Sequence, residues 1–329
     1  MKTRFKWLAV TLAAGTLCAA QSVLAQATVK LTLAHAVAPT NPRAMAAQKF
    51  ADLVSQKSGG RLTIQVAGAA QLGDDLTMLS ALRTGTLDMS MNSQGPVSSV
   101  LPELSALGLP YIFSTQQKAW ELLDGPIGDE LAKKREPKNL ILLSWMDNGI
   151  RQITNNKRPI TTPDDLKGIK IRTPPDPSTV DAFQAMGAST QQINFSELYI
   201  ALQTGVVDAQ ENPLANIHAG KLHEVQKYIS ITNHKYESTP FLMSKLTWGK
   251  LSADDQKVIK EAAKEATTYQ RNLMAEADVK LMAEYKAMPS LHINVPDQAP
   301  FKAATQKVWD ALEQKPFGDF VKKLRAAAK

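Results

Sequence analysis

Apolar and polar residues alternate over Val29–Ala34, and the run ends at His35 before a proline-bearing loop, Pro39 to Pro42. Alternation with a period of two marks a strand with one buried face. From Arg43 to Gln56 the spacing becomes that of a helix, which Gly59-Gly60 stops. Leu62 to Val66 alternates again. Asp74 and Asp75 open a second helix that runs to Arg83; Gly85 ends it, and Leu87 to Met91 reads as strand. Strands that alternate with helices specify an α/β sheet with crossover helices.

A second α/β region begins near Gly149. It follows a continuous apolar strand, Leu140 to Leu143, then Trp145 and the turn signal Asp147-Asn148-Gly149. Ile169 to Arg172 is a short strand. Pro174, Pro175 and Pro177 form a stiff loop, a helix runs on to Met186, Ser196 to Gln203 is helical, and Val206 to Gln210 is a strand.

The two regions share a short repeat. Ala81-Leu82-Arg83-Thr84-Gly85-Thr86-Leu87-Asp88 matches Ala201-Leu202-Gln203-Thr204-Gly205-Val206-Val207-Asp208 at five of eight positions. Each copy is a helix closed by glycine and followed by a strand. The same offset pairs Asn92 with Asn212 and Asp75 with Phe195. Two similar lobes would each aim the carboxyl end of a strand at a common crevice, where open α/β sheets bind ligands. Past Ser252, a candidate N-cap, apolar positions recur with helical spacing through Tyr285, with no glycine or proline before Pro289. About 36 residues at 1.5 Å each reach roughly 54 Å, long enough to serve both lobes as a spine. A coiled coil is the alternative, against which the weak apolar stripe argues.

The first 25 residues read as an export signal: basic Lys2, Arg4 and Lys6, an apolar stretch from Trp7 to Ala20, and the cleavage pattern Val23-Leu24-Ala25. A membrane anchor is the competing reading, but the run is short and Thr11, Gly15 and Thr16 break it. Cleavage near Ala25 would place the chain in the periplasm. Cys18, the sole cysteine, lies inside this segment without a lipoprotein box. The exported part therefore has no disulfide and no thiolate metal site. It carries a formal +4, the chain's +7 less three basic residues. The excess is scattered, with no basic stripe interleaved with aromatics, which argues against nucleic acid and suits an anionic small molecule.

Enzyme motifs fail. There is no G-x-S-x-G elbow, P-loop or G-x-G-x-x-G. His223-Glu224 begins like a zinc-protease helix, but Lys227 occupies the second ligand position, and the five histidines show no metal spacing. Neither a cofactor nor a metal is expected. What remains suits anion capture. A guanidinium gives two parallel hydrogen bonds to a carboxylate, and Arg172 stands at a strand end with Arg151 in the same region. Asn212 closes another strand before Pro213 and has an amide to donate. Trp145 and Phe195 are each open to two readings, core residue or wall of the cleft.

Five segments carry a family resemblance: Gln71 to Asp75, Leu109-Pro110-Tyr111-Ile112-Phe113, Trp145 to Gly149, Asp165 to Arg172, and Phe195 to Tyr199 with Asn212-Pro213. Together they resemble the DctP-type substrate-binding proteins of TRAP transporters over nearly the whole exported chain. The resemblance implies a two-lobed, periplasmic-binding-protein-like α/β fold with a long shared helix. Its first lobe would be residues 26–148 and 238–277, its second 149–237 and 278–329. It implies that Arg172 bonds a substrate carboxylate, helped by Arg151 and Asn212, and that Phe195 lines the pocket. It implies that His35, Asp75 and Ser93 lie near the rest of the ligand, which passes to a separate membrane permease. The receptor itself would act as a monomer.

Asp75 and Asp176 can accept hydroxyl hydrogens, which favours a sugar acid such as a uronate or aldonate. The run Trp145-x-Asp147-Asn148-Gly149 also looks like sugar-acid relatives. Asp176 has a second reading, as the cap of the helix after Pro177. A C4-dicarboxylate or another hydroxy or keto acid is the alternative ligand, with His35 the one evident second cation. The rival functions are a periplasmic enzyme, a receptor for an ATP-driven importer, and an adhesion protein.

Overall fold

The computed structural model describes residues 28–328, so the expected export signal and Cys18 lie outside the described residues. Nine strands form one sheet: β1 Val29–Ala34, β2 Leu62–Ala67, β3 Met89–Met91, β4 Leu140–Asn155, β5 Lys170–Thr173, β6 Ser189–Gln192, β7 Ala209–Pro213, β8 Tyr228–Ser244 and β9 His292–Asn294. Their order is β2-β1-β3-β8-β4-β7-β5-β6, with β9 on β8. The order is symmetric about the β8–β4 pair. Within each outer trio the strands are parallel, β1 with β2 and β3, β5 with β6 and β7. The central pairs are antiparallel.

The internal repeat has a structural basis. The Asp75–Thr84 helix ends at Gly85 (φ 77°), and Gly205 (φ 74°) follows the Leu198–Gln203 helix, both left-handed. Past each glycine an aspartate ties the new strand to its trio. Asp88 accepts from the Thr32 N–H at 2.8 Å, and Asp208 from the Lys170 N–H at 3.1 Å. The second-lobe strand begins at Ala209, three residues later than its alternation suggested.

No turn forms at Asp147-Asn148-Gly149. The turn-type residues occupy a bulge, and β4 runs 16 residues straight through them. Gly149 holds φ 111°, and a Cβ there would stand 2.9 Å from the Pro213 Cβ. Opposite lies β8, 17 residues long, which the polar run Thr232 to Thr239 conceals. Asp147 pairs with Ser238 and Gly149 with Glu237, so the lobe boundaries expected at these residues face each other across two continuous strands.

The Ala253–Ala287 helix joins the cores of the two halves. Ser252 caps it, accepting from the Asp255 N–H at 3.1 Å. Ile259, Ala262, Ala263 and Ala266 pack with Phe50, Leu62 and Phe241; further on, Met274, Leu281 and Tyr285 pack with Leu198, Ile217 and Ile229. The apolar stripe is spent on two lobes, not on a coiled-coil partner.

The same helix holds a titrating contact. Gln116 Nε2 donates to Asp147 and to Asp278, each at 3.1 Å. Burial raises Asp147 to about 7, with Asp278 adding to the rise, and burial raises Asp278 to about 6. The folded protein thus keeps protons that the unfolded chain releases at its ordinary 3.8. The stabilisation from these groups is full in acid and is lost as pH rises through about 7. Asp147→Asn is expected to flatten this dependence and to melt higher than the parent at about pH 8, by the equivalent of about 2 kcal/mol. Parallel pH–stability curves for the two proteins would refute the assignment.

Candidate functional site

The carboxyl ends of the parallel strands converge on one cavity. Ala36 and Val37 follow β1, Ser93 follows β3, Pro174 and Pro175 follow β5, and Asn212 lies in β7. The helix starts supply Arg43 and Asp75, the segment after β6 supplies Phe195, and the central strands add Arg151 and Glu237. Both trios therefore contribute, as strand ends at a crevice should.

Arg172 and Arg151 both line this cavity, but their electrostatic situations differ. Arg172 is 2% exposed, and its Nε donates to the Ile193 carbonyl at 2.7 Å. Among the described residues its terminal nitrogens have no hydrogen-bond partner and no carboxylate stands within ion-pair distance. Burial, joined by the Arg151 charge and opposed by Glu211 and Glu237, lowers its pKa to about 10. It is a desolvated cation without a counter-charge in contact.

Arg151 is instead fully engaged. Nε and Nη2 hold the Glu211 carboxylate, with Nη2 at 2.7 Å from Oε1, and Nη1 holds Glu237. Nη2 also donates to the Glu211 carbonyl at 2.6 Å. Burial lowers its pKa, but the two glutamates outweigh burial and raise it; Glu211 itself, although buried, is held at about 2 by Arg151. His234, kept neutral by burial, adds a contact to Glu211 at 3.2 Å.

Asn212 gives one amide hydrogen to Gln210 at 2.6 Å and accepts from Asn216 at 3.3 Å, which leaves a second amide hydrogen for the cavity. Asp75 keeps some open surface there. Burial raises it to about 6 while Arg43 opposes the rise, and the Ser93 N–H approaches it at 3.3 Å. Phe195 is half-buried on the same lining.

Comparison with known proteins shows the family. The family model DctP, described as bacterial extracellular solute-binding protein, family 7, matches residues 33–315. The chain belongs to the DctP family. An uncharacterised protein of Sinorhizobium fredii is 52% identical over 284 residues, 86% of this chain and 52% of that one, so this chain spans about half of that relative. The sugar acid binding protein DctPAm of Advenella mimigardefordensis, solved in complex with galactonate, is similar at TM-score 0.89 and 30% identity, over 92% of this chain and 98% of its own. A TRAP periplasmic solute-binding protein of Sulfurospirillum deleyianum, solved with bound succinate, gives TM-score 0.87 and 32% identity over 92% and 99%. As a DctP protein the chain is a TRAP-type receptor for organic acids, not an enzyme. Among its described residues no helix is long and apolar enough to cross a membrane.

Four expected site residues of this DctP protein lie away from the lining. His35 is 2% exposed and borders a different hollow, with Pro39, Gln48 and Tyr269. Burial and then Arg43 lower its pKa to about 4, so it is neutral and supplies no second cation. Trp145 is core: the Arg135 guanidinium stacks 4.3 Å from its ring centre, and Leu123 and Leu131 pack in the same cluster. Asp176 caps the Pro177–Ala185 helix, accepts from Thr179 Oγ1 at 2.7 Å and is ion-paired with Lys235, so its oxygens are taken. Asn148 stands behind the wall, accepting from Arg43 at 2.8 Å and from Asn216 at 3.1 Å and donating to Glu237 at 2.7 Å.

Sequence reasoning missed Arg43, Asn216 and Glu237 on the lining and Glu211 and Lys235 behind it. Arg43 read only as the start of a helix. Glu237 and Lys235 sit in β8, which had no recognisable pattern. The offset that picks out Asn212 also brings its neighbour Glu211 into view, but nothing in the sequence marks a glutamate as buried.

Proposed function

We propose that this protein is the periplasmic receptor of a TRAP transporter for a sugar acid, an aldonate or a uronate. Arg172 binds the carboxylate, Asn212 and the edge of Arg151 assist, Phe195 covers the ligand, and Asp75 accepts from a hydroxyl. The observation that carries this reading is the buried Arg172 guanidinium without a carboxylate partner, because such a cation is tolerated where an anion completes it. The lobes, residues 26–148 with 238–277 and 149–237 with 278–329, close by bending β4 and β8 where Gly149 faces Glu237. The closed monomer then delivers its acid to a membrane permease.

Binding to the folded state raises stability by about 4 kcal/mol at a thousandfold excess over Kd, or roughly 8 °C for a chain of this size. A thermal-shift screen of the mature protein against aldonates, uronates and C4-dicarboxylates should show that rise with sugar acids. The ligand that produces it should also compact the protein in small-angle scattering. A rise with dicarboxylates alone, or a rise without compaction, would contradict the substrate class or the closure respectively. The dicarboxylate reading has one observation in its favour, a second lining guanidinium, Arg43, that lacks a carboxylate partner among the described residues.

A further inference from the structure

Arg43 opens the Pro42–Lys57 helix and is 2% exposed. Nη2 donates to Asn148 Oδ1 at 2.8 Å and to Thr239 Oγ1 at 2.9 Å; Nη1 lies 3.4 Å from the Met91 carbonyl and from Ser93 Oγ. All four partners are uncharged. Among the described residues Nε has no hydrogen-bond partner. The guanidinium is therefore held rigidly on the cavity wall with both a charge and a donor to spare. Ser93, which accepts from Arg43, gives its backbone N–H to Asp75 Oδ1 at 3.3 Å. A donor and an acceptor thus flank one serine on the same wall without bonding each other.

A group placed between them must accept from Arg43 and donate to Asp75. A hydroxyl does both. A keto oxygen accepts only. A second carboxylate satisfies Arg43 but confronts Asp75. The charge count weighs against that carboxylate as well. Among the described residues the charged side chains of the lining and the layer behind it are Arg43, Arg151, Arg172 and Lys235 against Asp74, Asp75, Asp176, Glu211 and Glu237, already one carboxylate in excess. A monoanion adds one negative charge, a dianion two, the second beside Asp75. In a site shielded from water, that repulsion exceeds what one hydrogen bond returns.

We infer that Arg43 is a specificity-determining residue that, with Asp75, reads a hydroxyl of the same acid whose carboxylate Arg172 holds. The ligand is then a hydroxylated monocarboxylate, not a dicarboxylate. This inference rests on Arg172 as the carboxylate anchor.

The test is competition calorimetry with D-galactonate, its single-deoxy analogues, hexanoate and succinate, on the parent, Arg43→Met, Asp75→Asn and the double variant. Arg43→Met should weaken galactonate about 30-fold, the range for a hydrogen bond to a charged group, while hexanoate changes less than about threefold. The double variant should be little weaker than the poorer single one, since both residues serve one hydroxyl. On the parent protein one deoxy analogue should reproduce the loss, a readout that needs no variant to fold. Equal losses for galactonate and hexanoate in Arg43→Met, or no deoxy analogue weakened beyond about threefold, would overturn the inference and leave the anchor untouched. Arg172→Ala serves as the control: if it binds every acid normally, the anchor reading itself fails.

Discussion

Arg172→Ala is expected to abolish binding of carboxylate ligands while leaving the protein folded. The side chain makes one hydrogen bond, to the Ile193 carbonyl, and no ion pair among the described residues. Its removal takes a desolvated cation out of the free protein, so stability should hold or rise slightly. The ligand loses far more. Its carboxylate would be buried without its partner, a cost on the order of 3–5 kcal/mol, or about 150-fold to 5,000-fold in Kd. Arg172→Lys should recover only part of the loss, because an ammonium keeps the charge but not the planar fork or the Nε bond that orients it. Calorimetry with the acids found by thermal shift, beside a melting curve of the unliganded variant, separates the two quantities. Near-normal affinity in Arg172→Ala would end the carboxylate-anchor model.

Arg151→Ala should do the reverse, striking the fold before the ligand. Arg151 neutralises Glu211 and Glu237, both fully buried. Without it two carboxylates stay in the interior with His234 neutral beside one of them and Lys235 3.9 Å from the other. Removing one partner of such a network costs about 3–5 kcal/mol, roughly 6–15 °C in Tm for a chain of this length. The loss should shrink in acid, since Glu211, held at about 2 by Arg151, titrates upward once that charge is gone. A variant that melts like the parent and loses affinity alone would show that Arg151 is a free anchor and that its glutamate contacts are incidental.

Much of the architecture was readable because it obeys local rules. The outer strands have one buried face each, so β1 and β2 alternate visibly, and the two glycine-closed helices announce the duplicated trio. The long helix shows its caps and its stripe. The central strands resist that reading for a physical reason. β8 is buried on both sides and carries His234, Lys235 and Glu237 inside, so no period-two contrast survives and the segment looks like a loop. In β4, the residues that ordinarily make a turn make a bulge, because β8 pairs with both flanks and holds the strand extended. At the site, Arg172, Asn212, Asp75, Ser93 and Phe195 reach one cavity because each ends a strand or opens a helix. His35 and Trp145 also flank strand ends or bulges, but on sides that face other hollows.

The amino-acid order alone determined the α/β class, the paired lobes, the spine helix and the family, all of which rest on patterns a few residues long. The tertiary structure alone decided which cations are free. Arg151 meets Glu211 across 60 positions and Glu237 across 86, and Lys235 meets Asp176 across 59. Arg172 meets no carboxylate among the described residues. A charge is paired or bare according to what folding brings within a few ångströms of it, since the Coulomb term grows steeply as separation and local dielectric fall. Sequence spacing carries no information about that distance, and so Arg172, Arg151 and Arg43 were alike as arginines until the chain was folded.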